Sequence, residues 1–327
     1  MWRWLRRLVL FATLAVAAGG GAAFYALRVY DRPGPLAADT DVVVPRGSVS
    51  AIGAALTAAG VIEDARAFAV AASVTRDQGA IRAGEFAFPA HASLRQALSV
   101  LRTARPVQRR LTIPEGLTIA QIGPILADAP GLTGTFEPPA EGSILPETYA
   151  YEFGTTRQSV IDRARAAMDR ALAEAWAARA DNLPLATPRE LLILASIVER
   201  ETAKPEERAR IAAVFINRLR RGMPLQSDPT VVYAASEGRG TLDRPLSRAD
   251  LDRDHPFNTY RSRGIPPGPI ASPGVAALRA VAQPAQTDEL YFVADGTGGH
   301  VFSRTLDEHN RAVARWRNIE RERRSGG

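Results

Sequence analysis

Residues 187–202 have the sequence TPRELLILASIVERET and contain the clearest helix signal in the chain. Thr187 and Glu190 have the spacing of a capping box, and Pro188 occupies the first helical position, so a helix is predicted to begin there. The next eight residues, 191–198, include one polar side chain. Because a helix that is apolar on all sides is buried, this segment is predicted to be a core helix.

Glu199 follows the apolar run and is the candidate general acid. Apolar surroundings favour the protonated form of a carboxyl, and a carboxylic acid that is protonated near neutral pH can give its proton to a glycosidic oxygen. Ser196 and Ala195, one helical turn earlier, are small and are expected to leave room for a ligand beside Glu199. Glu201 lies about 200° further around the helix and is predicted to face elsewhere.

The same residues allow a purely structural interpretation. Glu199 and Glu201 can be the solvated end of a core helix. Their ionic partners would then be nearby arginines, namely Arg200, Arg208 or Arg210. Under this interpretation the end of the helix carries no chemistry.

The composition narrows the class of protein. Of 327 residues, 46% are hydrophobic and 23% charged, which suits one or two packed cores. The chain has no cysteine, which excludes disulfides, Cys-ligated zinc, iron–sulfur clusters and thiol nucleophiles. The four histidines form no His-Glu-x-x-His pair, so a metal site built from histidines is not expected, and no other pattern suggests a metal or an organic cofactor. The net charge of +6 favours an anionic partner.

The N-terminus has the pattern of a membrane anchor. Residues 8–27 are uncharged, and 20 residues are about the length needed to cross a bilayer as a helix. Residues 1–7 contain three arginines, which predicts a cytoplasmic N-terminus, a transmembrane helix over 8–28 and a body beyond the membrane. The alternative is a cleaved signal peptide with a small-residue site at 17–19. In both cases the body is outside the cytoplasm, so nucleic acid is not an expected partner.

The remaining chain is predicted to contain three segments after a linker at 29–40. Residues 41–110 have a short β-α-α-β pattern with little polar chemistry, which is typical of a small binding or spacer module. Residues 111–140 are predicted to be a connecting subdomain, and 141–327 a larger domain that begins with long helices. From Pro224 onward Pro, Gly, Asp and Tyr are dense, which predicts loops rather than regular structure. The fold class is therefore α+β.

A second candidate region has planar polar groups interleaved with aromatic rings, at 226–230 together with Tyr233 and at 255–260. Such groups suit a sugar-binding groove, because amides and carboxylates bond to hydroxyls while rings stack on the apolar face of a sugar. Each residue type is also an ordinary turn former. The pattern alone does not show whether Glu147 and Tyr149 have a functional or a structural role.

Several motifs follow one another in the C-terminal half. They are EG at 141–142, LPETY at 145–149, ASIVERET at 195–202, VFINRL at 214–219, GMPLQSDPTV at 222–231, PFNTY at 256–260, GIPPGPI at 264–270, YFV at 291–293 and EHN at 308–310. This ordered series resembles the YceG-like (MltG) family of endolytic murein transglycosylases over most of residues 141–313. The N-terminal half is similar to the family in architecture, with one anchor and a LysM-like module.

The resemblance implies a bacterial inner-membrane enzyme whose periplasmic domain cuts nascent peptidoglycan between N-acetylmuramic acid and N-acetylglucosamine, and so terminates strand elongation. Its catalytic glutamate falls on Glu199, with Glu201 as the neighbouring position that could be confused with it. One glutamate protonates the leaving oxygen and then, as carboxylate, takes the proton of the muramoyl C6 hydroxyl, which closes a 1,6-anhydro ring. A hydrolase would instead need paired carboxylates.

Within this resemblance we assign the substrate groove to seven residues. They are Gln226, Ser227, Asp228, Asn258, Tyr260, Glu147 and Tyr149. The implied partners are peptidoglycan strands, the inner membrane and the peptidoglycan synthases of elongation and division. The alternative is a non-catalytic, membrane-anchored scaffold that binds glycan, and the intact acid motif argues against it.

Overall fold

The computed structural model describes residues 2–325, which form two compact units. The first unit comprises the chain up to residue 109 together with residues 151–154. The second comprises residues 110–150 and the chain from residue 155 onward. Met1, Gly326 and Gly327 lie outside the described residues, as does the side chain of Arg3 in the expected cytoplasmic segment.

The first unit joins a long N-terminal helix to a small mixed module. Its elements are α1 (Trp2–Asp31), β1 (Thr40–Val44), α2 (Val49–Ala58), α3 (Ala65–Val74), β2 (Gly84–Phe88) and α4 (Leu94–Thr103). Strands β1 and β2 are antiparallel, with Val42 opposite Phe86. Alternate residues of both strands point into one apolar core, where Phe68 of α3 and Leu98 of α4 are fully buried. The predicted β-α-α-β order is present, with α4 following it.

Helix α1 matches the predicted membrane anchor. Among residues 2–325 it is the one helix long and apolar enough to cross a membrane, and no part of its apolar 18-residue stretch is buried within the protein. Exposed leucine and phenylalanine side chains cover it. Burying such a surface in lipid removes it from water, which is the physical reason for an anchor.

The C-terminal end of α1 is tied to the module. Arg95 donates two hydrogen bonds to Asp31, from Nε to Oδ1 at 2.6 Å and from Nη2 to Oδ2 at 3.1 Å. The same guanidinium lies 4.6 Å from the centroid of the Tyr30 ring. Leu36 is buried in the core that the two strands share. The segment predicted to be a linker is therefore helical at its start and packed against the module further on.

The second unit is mostly helical. Strands β3 (Arg109–Thr112) and β4 (Thr148–Tyr151) pair at its boundary, and β5 (Tyr291–Ala294) pairs with β6 (His300–Ser303). Its helices are α5 (Ile119–Ala127), α6 (Arg157–Ala177), α7 (Pro188–Glu201), α8 (Arg208–Arg220), α9 (Asp228–Ala235), α10 (Arg248–Asp252), α11 (Val275–Ala282) and α12 (Leu306–Ser325). The α+β class is confirmed.

Helix α7 is the centre of this unit, as its sequence predicts. All nine residues from Leu191 to Glu199 are buried, and helices α6, α8, α9 and α11 pack around them. The capping box is present, since Glu190 N donates to Thr187 Oγ1 and Glu190 Oε2 accepts from Thr187 N. Each fully buried leucine or isoleucine contributes about 1.5–3 kcal/mol, so this helix fixes the fold around it.

The prediction of loops from Pro224 onward is wrong in part, because α9, α10 and α11 lie there. The turn-forming residues act as helix starts instead. Pro229 lies in the first turn of α9, and Ser247 forms a capping box with Asp250 at α10. Asp, Ser and Pro satisfy or tolerate the free amides of a first turn, so one composition serves both a loop and the start of a short helix.

Candidate active site

The C-terminal end of α7 lies beside an open cavity of about 360 Å³. Residues 199–203 line one side of it, and Glu115, Gly116 and Arg208 contribute the rest. Arg200 donates to the carbonyl oxygens of Gly116 at 3.0 Å and Gly240 at 3.2 Å, and so holds two loops near the helix end. Two carboxyls of one helix, Glu199 and Glu201, thus share the edge of a single cavity.

Glu199 is bonded within the protein through both carboxylate oxygens. Arg208 Nη2 donates to Oε1 at 3.1 Å, and the backbone amide of Gly274 donates to Oε2 at 2.8 Å. The side chain is 4% exposed. Burial raises the pKa of Glu199, while the Gly274 amide and the Arg208 guanidinium oppose the rise and Glu115 adds to it.

Arg208 also contacts Glu115 at 3.3 Å, so one arginine serves two carboxylates. A side chain at Gly274 would overlap the Glu115 carboxylate, so the partly exposed Glu115 side chain would have to move. The pairing with Arg208 that the structural interpretation predicted for Glu199 is present. The pair is buried, however, so the prediction of a solvated helix end is wrong for Glu199.

Glu199 borders the cavity at the end of α7, but the two small residues one turn earlier, which were expected to leave room for a ligand, do not. Ser196 and Ala195 are fully buried. Ser196 Oγ donates to Ile193 O at 2.7 Å and accepts from the backbone amide of Ile270 at 3.0 Å. The chain at 270–274 thus occupies the space that the small side chains leave, and the sequence gives no sign of which segment packs there.

Glu201 has different surroundings. Its side chain is partly buried, and Oε1 accepts a 2.5 Å hydrogen bond from Ser227 Oγ. Burial raises the pKa of Glu201 to about 7, with Ser227 lowering it, Asp228 raising it and Arg218 lowering it. A carboxyl with this pKa is partly protonated at neutral pH, which suits a group that gives and takes a proton.

The structure brings most of the predicted groove residues together beside Glu201. Ser227 is buried and its amide donates to Thr259 Oγ1 at 3.0 Å. Tyr260 Oη donates to Asp228 Oδ1 at 2.6 Å. Burial raises the pKa of Tyr260, and its bond to Asp228 adds to the rise, so the phenol stays a donor. The two motifs at 226–230 and 255–260 therefore form one surface.

Gln226 and Asn258 hold this surface in shape. Gln226 is exposed and adopts the left-handed conformation at φ 53°, and its amide donates to Thr259 O at 3.1 Å. Asn258 is buried, donates to Leu251 O at 3.0 Å and to Arg253 O at 2.8 Å, and accepts from the Tyr260 amide at 3.0 Å. Its polar atoms are thus used by the loop itself.

Glu147 and Tyr149 lie elsewhere, on and just before β4. Tyr149 is buried and its hydroxyl donates to Leu145 O at 2.6 Å. Burial is also the main reason that the pKa of Tyr149 is raised. Glu147 is exposed, and its carbonyl accepts from the amide of Ile113 at 3.0 Å. Neither residue is among those that line the cavity at the end of α7.

Two further residues of this unit were not identified from the sequence. Glu115 lines the cavity, and Arg218 is buried beneath the groove. The sequence does contain a signal for Arg218, because this arginine lies within the largely apolar motif VFINRL. A charged side chain that is buried in such a segment needs hydrogen-bonding partners. Within residues 2–325 no group of three or more histidine, aspartate or glutamate side chains is arranged to hold a metal ion.

Comparison with known proteins identifies the family. Residues 42–315 match the sequence profile of the YceG-like family. The chain belongs to this family. This YceG-like protein is 38% identical over 185 residues to an endolytic murein transglycosylase of Bacillus subtilis, with 57% of this chain and 50% of that protein covered. It is 34% identical over 324 residues to an endolytic murein transglycosylase of Streptococcus pneumoniae, with 84% and 57% covered.

The YceG-like chain thus spans about half the length of the curated relatives that it matches. A crystal structure of a YceG-like protein from Listeria monocytogenes is 30% identical and has a TM-score of 0.52. It covers 84% of this chain and 98% of the Listeria chain. The family inferred from the ordered motifs is confirmed, and the fold extends over most of the sequence.

Proposed function

We propose that this YceG-like protein is a lytic transglycosylase that cleaves peptidoglycan strands between N-acetylmuramic acid and N-acetylglucosamine. The observation that carries the proposal is the position of the Glu201 carboxyl at the edge of a cavity, hydrogen-bonded to Ser227 in the predicted groove, where burial raises its pKa to about 7. Family membership supports it, and so do the names of the relatives in Bacillus and Streptococcus.

We propose Glu201 as the proton donor, although the sequence favoured Glu199. Both oxygens of Glu199 are engaged, by the guanidinium of Arg208 and the amide of Gly274, and both contacts oppose the rise that burial gives its pKa. Glu201 has a hydroxyl as its hydrogen-bond donor and lies next to the predicted groove. Glu199 then serves to fix the helix end against the chain at Gly274.

The chemistry needs one carboxyl in two protonation states. Glu201 gives its proton to the glycosidic oxygen as the bond from that oxygen to C1 of the muramoyl sugar breaks. The C6 hydroxyl of the same sugar then attacks C1, and the Glu201 carboxylate takes its proton, so the carboxyl is restored. Ser227 stabilises the carboxylate between the two steps, because its hydroxyl donates to Oε1. No water is consumed, and the product ends in a 1,6-anhydro ring.

We further propose the arrangement in the envelope that the sequence suggests. Helix α1 crosses the bacterial inner membrane with residues 1–7 in the cytoplasm, and residues 29–40 lead to a LysM-like module at 41–110. A connecting subdomain at 111–140 and the catalytic domain at 141–327 follow in the periplasm. In this arrangement the enzyme reaches nascent strands near peptidoglycan synthases and terminates their elongation. The apolar, exposed surface of α1 supports the anchor.

The test is digestion of peptidoglycan by the full-length protein in detergent, with products identified by mass spectrometry. We expect anhydro ends, one water lighter than hydrolysis products; reducing ends would indicate a muramidase. Glu201→Gln should abolish turnover, whereas Glu199→Gln should keep part of it, and both variants should remain folded by circular dichroism. Loss of activity in Glu199→Gln alone would assign the acid to Glu199.

A scaffold that binds glycan without cutting it makes a different prediction. It would retain peptidoglycan in a sedimentation assay but release no new ends, and neither glutamine variant would change its behaviour. The raised pKa of a carboxyl at a cavity argues for the enzyme, because perturbed carboxyls of this kind concentrate at functional sites.

A further inference from the structure

Arg218 of α8 is buried, with 7% of its surface exposed, directly behind the loop that carries Ser227. Its guanidinium donates to Leu290 O at 2.7 Å through Nε. Through Nη1 it donates to Leu225 O at 2.9 Å, to Pro224 O at 3.2 Å and to Gln226 Oε1 at 3.1 Å. One side chain therefore bonds to three consecutive residues, 224–226.

The segment that Arg218 holds is conformationally unusual. Gln226 has φ 53°, a left-handed conformation that is unfavourable for a residue with a side chain. Its amide is fixed to Thr259 O, and its side-chain oxygen is fixed to Arg218. Ser227, whose hydroxyl donates to Glu201 Oε1, is the next residue.

We propose that Arg218 is a positioning residue for Glu201: it holds residues 224–226 in the turn that aims the Ser227 hydroxyl at the Glu201 carboxyl. This inference rests on the proposed function, in which Glu201 is the proton donor. A second consequence is electrostatic. The charged and titratable groups that act on Glu201 are Arg218, Asp228 and Tyr260, and Arg218 is the positive one.

A purely structural arginine would have a simpler effect. The carbonyl bonds to Pro224, Leu225 and Leu290 would stabilise two loops, and their loss would lower stability without altering how Glu201 titrates. Removing a positioning cation has two effects on the acid that act in the same direction. Loss of the positive charge and misdirection of the Ser227 hydroxyl both destabilise the carboxylate, so both raise the pKa of Glu201.

The experiment compares Arg218→Met, Arg218→Lys and the control Arg220→Met in the full-length protein. Arg220 is exposed on the same helix and donates to Asn182 O instead. For Arg218→Met we expect kcat to fall at least about tenfold with KM changed less than about threefold. The basic limb of the pH–rate profile should move to higher pH by about half a unit or more. Arg220→Met should match the wild type.

Arg218→Lys keeps the charge but cannot form the fork of hydrogen bonds. We expect a loss of kcat with a basic limb closer to that of the wild type, and this variant carries the test should Arg218→Met fail to fold. The inference is overturned if folded variants keep the wild-type kcat, or if Arg218→Met loses kcat without any shift of the basic limb. Absence of anhydro products from the wild type, or full activity of Glu201→Gln, would instead refute the proposed function.

Discussion

Ser227 Oγ donates a 2.5 Å hydrogen bond to Glu201 Oε1, joining two residues that are 26 positions apart in the chain. Glu201 is the last residue of α7, and Ser227 immediately precedes α9. The bond therefore connects the end of the core helix to the loop that carries the predicted groove. It also places a neutral donor, rather than an arginine, on the carboxyl proposed to transfer the proton.

Replacing Ser227 by alanine should alter the pH dependence of cleavage. The Ser227 hydroxyl lowers the pKa of Glu201, so its removal raises that pKa. The acid must be protonated to act, and the basic limb of kcat/KM should therefore move to higher pH, by about 0.5–1 unit. The control is Ser99→Ala, on the exposed face of α4. A limb that stays in place would show that the bond has no effect on the acid.

Removing the partner of Glu199 should destabilise the second unit. Arg208→Met leaves the Glu199 carboxylate buried without its arginine, and such changes cost on the order of 3 kcal/mol. Urea unfolding followed by circular dichroism at pH 7 measures the effect. Arg248→Met is the matched control, since Arg248 forms an exposed pair with Asp252 and should change stability by less than about 0.5 kcal/mol. Equal effects in the two variants would contradict the assigned role of the buried pair.

Glu141 should make stability depend on pH. Burial raises the pKa of Glu141 to about 7, against opposing bonds from the amide of Ile119 and the hydroxyl of Tyr233. A carboxyl whose pKa is raised in the folded state stabilises the fold below its unfolded value of 4.5. That contribution is lost as pH rises toward 7.

For Glu141→Gln we therefore expect a smaller fall in the free energy of unfolding between pH 5 and pH 8. The difference from the wild type should be on the order of 1–2 kcal/mol, after allowance for partial exposure. Glu137→Gln, at an exposed position nearby in the chain, serves as the control. An unchanged slope in Glu141→Gln would mean that Glu141 ionises equally in the folded and unfolded states.

The start of α7 should be sensitive to its cap. Thr187→Ala removes the oxygen that accepts from the Glu190 amide and should lower the free energy of unfolding by about 1 kcal/mol. Thr187→Ser keeps that oxygen and should recover most of the loss. Thermal unfolding of the three proteins, scored by Tm, distinguishes a local capping effect from a change in packing, because packing would not be restored by serine.

Short sequence patterns were enough to predict the central helix α7. The capping box and the eight-residue apolar run determine where α7 begins and why it is buried, and both are contained in one short segment. The β-α-α-β order within residues 41–110 is likewise predicted from short local patterns and is present in the structure. The short helices α9 to α11 were missed because Pro, Ser and Gly begin a helix as readily as they form a turn.

The site could be predicted only in part. The sequence pointed to a glutamate at the end of α7 and to the motifs at 226–230 and 255–260, and these two motifs do lie together. Which of two glutamates faces that surface depends on the position of Ser227 and on the guanidinium that neutralises Glu199. Ser227 is 26 residues from Glu201, and Arg208 lies beyond the end of α7. Helical periodicity within α7 therefore does not predict the position of either partner.

The contacts at the end of α1 have a mechanical consequence. Arg95 contacts both Asp31 and Tyr30, and Leu36 is buried a few residues later, so the end of α1 is attached to the module by side-chain contacts. If α1 is embedded in a bilayer, a change in its tilt or rotation is therefore expected to reorient β1 and β2. The lipid environment thereby becomes one of the factors that decide which way the module points.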